Sequence, residues 1–338
     1  MASTRPWYIV GPVYDAAFFL LPPVLALALG IAVAHTPFSE RAFTLAGRSL
    51  TAESLCIGAL IHAHLVAVLV RSHGNPTIFR RHRWRFVVVP VVLWFALRAS
   101  MTLAAASLVV ATFWDVWHSG AQTFGLARIY DRNAGNAPDA GRAMDLWLNQ
   151  ILYAGPIVAG ATMLDHFESF DAFGEVGVTA LARVPAFMLR THHLWARGVL
   201  AAGAVFVAAY VAAQVRLWRR GHRVSWPRVW LLTSTGLCSV YTWGFNTWGE
   251  AFFIMNLFHA VQYLALVWAT EGRQLCARVG LRRTGVGLAA FGGLVLTYGL
   301  AASLVDTARP GLWAVTMVVS LMHFWYDGFV WSVGRREV

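Results

Sequence analysis

Leu55-Cys-Ile-Gly-Ala-Leu-Ile-His-Ala-His-Leu-Val-Ala-Val-Leu-Val70 contains no acid and no arginine, and Glu53 and Arg71 bracket it. At a rise of about 1.5 Å per residue, a helix of this run and its flanks is as long as the hydrocarbon of a bilayer is thick. Two ionisable side chains, His62 and His64, sit in its middle. Such groups are costly in hydrocarbon, so they imply a partner inside the protein.

Working outward, runs of the same kind recur at 14–34, 53–71, 86–103, 105–126, 144–164, 196–216, 229–246, 251–270, 285–305 and 311–333. The 338 residues are 58% hydrophobic and 13% charged, which is too apolar for a soluble core. The expected fold is all-α, one polytopic membrane domain over residues 1–338 with about ten transmembrane helices. The first run contains Pro22 and Pro23 and is not followed by a small-residue cleavage site, so it reads as a retained helix.

All 27 basic residues are arginine, and the absence of lysine excludes a retinal Schiff base. Arginines gather between spans at 71–85, 127–143, 216–228 and 271–284 (including Arg282 and Arg283) and in the tail at Arg335 and Arg336; the alternate loops are not arginine-rich. The positive-inside bias then places both termini in the cytoplasm, as in a bacterial-type plasma (inner) membrane, and accounts for the basic balance without nucleic acid. The arginines of 71–85 read as an anchor for anionic lipid headgroups. Segment 165–195, with Asp165, Glu168, Asp171 and Glu175, reads as the long outer loop. Cys56, Cys238 and Cys276 share no ligand spacing and read as small apolar residues.

On this topology the second, fourth, eighth and tenth spans run in the same direction, and each carries histidine before its cytoplasmic end. His62 and His64, His118, His259 and His323 fall roughly 10–17 Å inside that boundary by helical rise. Imidazoles at one depth on four helices point to a shared metal. His62 and His64 lie about 200° apart around a helix, so only one can face the centre. Polar residues accompany them at helical spacing: Asp115 and Gln122 around His118, Asn256, Gln262 and Tyr263 around His259, and Asp327 after His323. Asp115 and Asp327 are the candidate catalytic acids, and Gln122, Asn256, Gln262 and Tyr263 the candidates to orient ligands. Imidazole and carboxylate without thiolate suit non-haem iron, one ion or two, ahead of other transition metals. Trp114, Trp117, Tyr241, Trp243, Trp248, Trp325 and Tyr326 are candidate walls for a lipophilic substrate entering from the membrane or the cytoplasmic side.

Phe113-Trp-Asp-Val-Trp-His-Ser-Gly-Ala-Gln122 resembles the aromatic-His-Ser segment of the Brp/Blh-type membrane β-carotene dioxygenases, polytopic proteins that cleave carotene with histidine-bound non-haem iron. The resemblance implies that His118 is an iron ligand, and Gln122 stands where that pattern has a second histidine. What carries over is a histidine-iron membrane oxygenase or oxidoreductase, with an electron donor as partner. The competing expectations are a proton-coupled transporter and a haem-binding electron carrier.

Overall fold

The computed structural model describes residues 7–278, 280–281, 285–305 and 308–331; Arg282, Arg283, Arg335 and Arg336 lie outside them. The long elements are α1 (Pro12–Leu20), α2 (Pro22–Val33), α3 (Ala52–Ser72), α4 (Pro76–Ala99), α5 (Met101–Asn133), α6 (Arg142–Ala159), α7 (Val184–Arg219), α8 (Trp226–Phe245), α9 (Trp248–Arg278), α10 (Gly285–Ser303) and α11 (Pro310–Val330). A two-stranded antiparallel hairpin, β1 (Ala42–Leu45) and β2 (Arg48–Thr51), precedes α3. The chain is therefore nearly all helical. α3, α7, α9 and α10 are long and apolar enough to cross a membrane, as is the α1–α2 pair if counted as one bent span.

Local chemistry sets the boundaries. Thr51 and Ser54 form a reciprocal cap at the start of α3, each hydroxyl accepting the other's backbone N–H at 3.1 and 3.0 Å. Asn75 accepts from the N–H groups of Thr77 and Ile78, and Pro76 occupies the first turn of α4, where its missing donor costs nothing. Pro22 and Pro23 bend α2 by 46° from α1. A proline at 23 cannot donate to Phe19 O, and Gln262 Nε2 donates there instead at 2.8 Å.

The chain turns back on itself at Ser100, whose extended backbone (φ −136, ψ 111) ends α4 and whose hydroxyl caps α5. Trp94 Nε1 donates to Gly311 O and Tyr326 OH to Arg85 O, so α4 runs antiparallel to α11. α3, α5, α9 and α11, by contrast, share one direction. His64 meets His259 while Arg71 meets Glu271; His323 bonds Leu65 O while Arg71 bonds Val330 O; and His118 and Gln122 meet His259 and Gln262 in order.

Two expectations need correcting. The arginine-rich segments are largely helix: α3 reaches past Arg71, α5 past Arg128 and Arg132, and α9 to Arg278, because arginine and glutamate continue a helix as well as leucine does. Arg71, Arg128 and Arg228 are buried and salt-bridged, so they are not solvated loop charges. Segment 165–195 is a string of short helical turns (Met163–Phe167, Glu168–Asp171, Ala172–Glu175, Thr179–Ala182) leading into α7.

The outside is apolar, and polar groups are buried beside an apolar core. Phe95, Val205 and Leu294 are 62%, 71% and 71% exposed on the outside, whereas histidine, aspartate and arginine lie within. Gly299 lets α10 close against α3, since a Cβ there would strike the carbonyl oxygen of Ala59. Small residues serve this purpose where lipid supplies no hydrophobic drive between helices.

Candidate metal centre

The four parallel helices bring His64, His118, His259 and His323 into one cluster, at 0, 5, 1 and 0% exposure. Ring centroids are 4.9 Å apart for His64–His259, 4.8 Å for His64–His323, 5.1 Å for His118–His259 and 4.7 Å for His118–His323. Candidate ligand atoms of His64, His118 and His323 all lie within 4.8 Å of one another. At metal–nitrogen lengths of about 2.1 Å, neighbouring donors stand roughly 3.0–3.4 Å apart, so the three must draw closer to enclose an ion, and His259 packs against them without belonging to that group of three.

Hydrogen bonding partly fixes the tautomers. His323 Nδ1 lies 3.0 Å from Leu65 O, and a carbonyl only accepts, so the proton of the neutral ring sits on Nδ1 and the Nε2 lone pair faces the cluster. That Nε2 is 3.1 Å from His118 Nε2. Both ring nitrogens of His64 and both of His259 are buried with no hydrogen-bond partner. An unsatisfied buried polar atom costs about 1–3 kcal/mol, and a cation bound by lone pairs would remove that cost at several atoms together.

Asp327 faces the same point. Its Oδ2 lies 3.6 Å from His323 Nε2 and 3.8 Å from His118 Nε2, while Oδ1 accepts from Tyr263 OH at 2.9 Å and Trp331 Nε1 at 3.0 Å. Tyr263 also packs its ring 4.7 Å from His323 and 5.6 Å from His64. Gln122 Nε2 donates to His259 O at 3.0 Å and Gln262 Oε1 at 3.4 Å, tying the backbone of α9 to α5.

Other expected members lie elsewhere. His62 turns away, with Nδ1 2.9 Å from Gly58 O within its own helix. Asp115 and Asn256 line a separate cavity on the other side of α5, and the Asn256 amide donates to Phe252 O. The aromatic residues divide as well. Trp114, Trp117 and Trp325 line the cavity at the cluster, Trp243 and Trp248 line the second one, Tyr326 is fully buried and Tyr241 is exposed.

Sequence reading missed the ion pair between Arg71 and Glu271, both buried, next to the cluster. Arg71 also donates through Nε to Val330 O and lies 4.0 Å over the ring of Trp331, whose N–H holds Asp327. The signal was present: Arg71 stands two helical turns after His64 and so shares its face. Also missed was the buried network in which Asp145 accepts from Arg128, Arg228 and Tyr210 while Asp131 meets Arg128 and His222.

A cavity of about 630 Å³ begins at His118, Tyr263 and Asp327 and extends past Trp117, Phe124 and Phe329 to Arg128, Pro138 and Arg142. It reaches the arginine-rich end of the bundle and not His192 and His193 of α7. In comparisons with known proteins, no family model, curated protein or solved structure matches the chain.

Proposed function

We propose that this chain is a multi-pass integral-membrane metalloprotein, a non-haem iron oxygenase or oxidoreductase acting on a lipophilic substrate, with His64, His118, His259 and His323 as ligands and Asp327 beside them. On this reading all ten sequence-assigned spans cross the bilayer. The observation that carries it is the packing of four buried imidazoles at 4.7–5.1 Å with four ring nitrogens that have no partner. Iron bound by imidazoles with open positions supplies redox chemistry and oxygen activation.

The residues' own contributions follow from their contacts. Leu65 O holds the His323 ring and keeps its Nε2 free of a proton. Tyr263 and Trp331 fix one oxygen of Asp327, so the other is presented to the cluster, where it can bind metal or accept a proton from an approaching hydroxyl or water. The aromatic walls of the 630 Å³ cavity offer a surface for an apolar body, and Arg128 and Arg142 lie at its far end. Rings packed this closely leave no slot for a porphyrin between them, which favours the non-haem reading over a haem carrier. Aromatic lining favours a bound substrate over a hydrated ion path, and with it an enzyme over a proton-coupled transporter.

Metal analysis and an optical spectrum of the purified protein test the proposal. Stoichiometric iron without a Soret band is expected. A Soret band would select haem, and a metal-free protein that cannot be reconstituted would turn the reading toward transport.

A further inference from the structure

The structure sorts the arginines into two kinds. Arg71, Arg128 and Arg228 are buried and paired with acids, whereas Arg80, Arg81, Arg83 and Arg85, in the opening turns of α4, are exposed. No aspartate or glutamate occurs between Glu53 and Asp115, so nothing nearby in the sequence offsets this charge. Arg83 and Arg85 have no carboxylate partner among the described residues; the Arg83 guanidinium lies 5.4 Å from the centre of the Trp84 ring and that of Arg85 lies 5.2 Å from the centre of Phe329.

The rest of the helix shows what this charge borders. His82 alone departs from helical geometry within α4 (φ −124, ψ 20), so the register runs unbroken from Arg83 onward. Trp84, Val88, Val91 and Phe95 then fall on one face at helical spacing, and all four are exposed, Trp84 at 69%. An exposed apolar stripe of this kind marks a surface covered by something apolar, which for a helix embedded in a bilayer is hydrocarbon. Arg83 and Arg85 lie about 100° to either side of Trp84 around the helix. Tryptophan favours the boundary between hydrocarbon and headgroups, and arginine side chains beside it reach outward into the headgroup layer. A charge run that is merely solvated has no reason to carry an exposed tryptophan between its arginines, or an apolar stripe continuing from it.

The same end of the molecule repeats the pattern. The connection between α7 and α8 exposes Trp218 and Trp226 beside Arg219, Arg220 and Arg223. His222 ties it to Asp131 on α5, beyond His118, just as Arg85 meets Phe329 on α11 beyond His323.

We propose that Arg83 and Arg85, flanking Trp84, hold the headgroup of an anionic phospholipid. This rests on the membrane embedding proposed above and is independent of the metal. The full-length protein is reconstituted in mixtures of phosphatidylglycerol and phosphatidylcholine, with bromine on the acyl chains of one lipid or the other as a contact quencher of tryptophan. Quenching that belongs to Trp84 is the difference between wild type and Trp84→Phe. Half-maximal quenching is expected at a mole fraction of brominated phosphatidylglycerol at least about fivefold below that of brominated phosphatidylcholine. Arg83→Gln combined with Arg85→Gln should bring the two curves together, and Arg85→Gln alone should narrow the gap if the double variant does not fold. Coinciding curves in the wild type would overturn the proposal, as would an unchanged preference in a folded double variant. Loss of the preference on adding millimolar inorganic phosphate at constant ionic strength would overturn it in favour of a soluble anion. Trp84 left unquenched by either lipid would remove this face of α4 from the bilayer, a failure of the embedding itself, which coinciding curves are not.

Discussion

His62 and His64 are two residues apart on one helix, yet one ring bonds a carbonyl of its own helix and the other is buried against two further imidazoles and a tyrosine. Sequence spacing shows that they cannot share a centre; which one faces inward depends on the rotation of α3, which only its packing partners set. The same limit explains Asp115. It sits three residues before His118, but α5 passes between two cavities and presents Asp115 and Ser119 to one, His118 and Gln122 to the other. His64→Ala is accordingly expected to abolish stoichiometric metal, while His62→Ala keeps it within about twofold, as read by elemental analysis of folded protein. Equal losses would refute the assignment of His64. Asp327→Asn keeps the shape but removes the charge beside His118 and His323, and it should weaken metal binding by about 10–100-fold if Asp327 orients ligands and by more if it is one. Metal content and affinity equal to wild type would remove Asp327 from the site.

The elements were legible where polarity changes sharply. Every apolar run drawn from the sequence overlaps a helix or, for the first, a proline-bent pair, while the tight reversal expected between the third and fourth runs falls at Ser100, inside the third run as drawn. The ends of α3 were legible to within one residue, but those of α5 and α9 were not, because Arg128 and Glu271 continue these helices past their apolar runs and are satisfied by buried partners, Asp145 and Arg71. Nor was the role of Gln262. It was expected beside His259, but its amide satisfies the carbonyl that Pro23 leaves open, a contact between residues 243 positions apart. The α3–α10 seam depends on one missing side chain. Gly299→Val would drive its Cβ into Ala59 O and force the helices apart, and overpacking of this kind costs about 1–3 kcal/mol. A lower thermal midpoint with unchanged helical circular dichroism is the expected result; an unchanged midpoint would show that the seam yields freely.

At the scale of the whole molecule, four parallel helices from distant parts of the sequence converge on imidazoles that have little to bond except one another. Hydrophobic contact cannot drive helices together in lipid, so their association rests on close packing and on buried polar contacts such as the Arg71–Glu271 pair. On the proposed reading, a metal bound at these imidazoles would join α3, α5, α9 and α11 at a single point and bind only the assembled state. It would therefore stabilise that state by mass action, by about 2.7 kcal/mol when free metal is 100 times its dissociation constant. Chelation should lower the thermal midpoint of the wild-type protein, and re-addition of iron should restore it in proportion to the logarithm of free metal. His64→Ala should start from the lower midpoint and respond to neither treatment. A wild-type midpoint indifferent to chelator, in a protein shown by elemental analysis to have lost its metal, would mean that the cluster is held by packing alone, and the four histidines would then have to be explained without an ion.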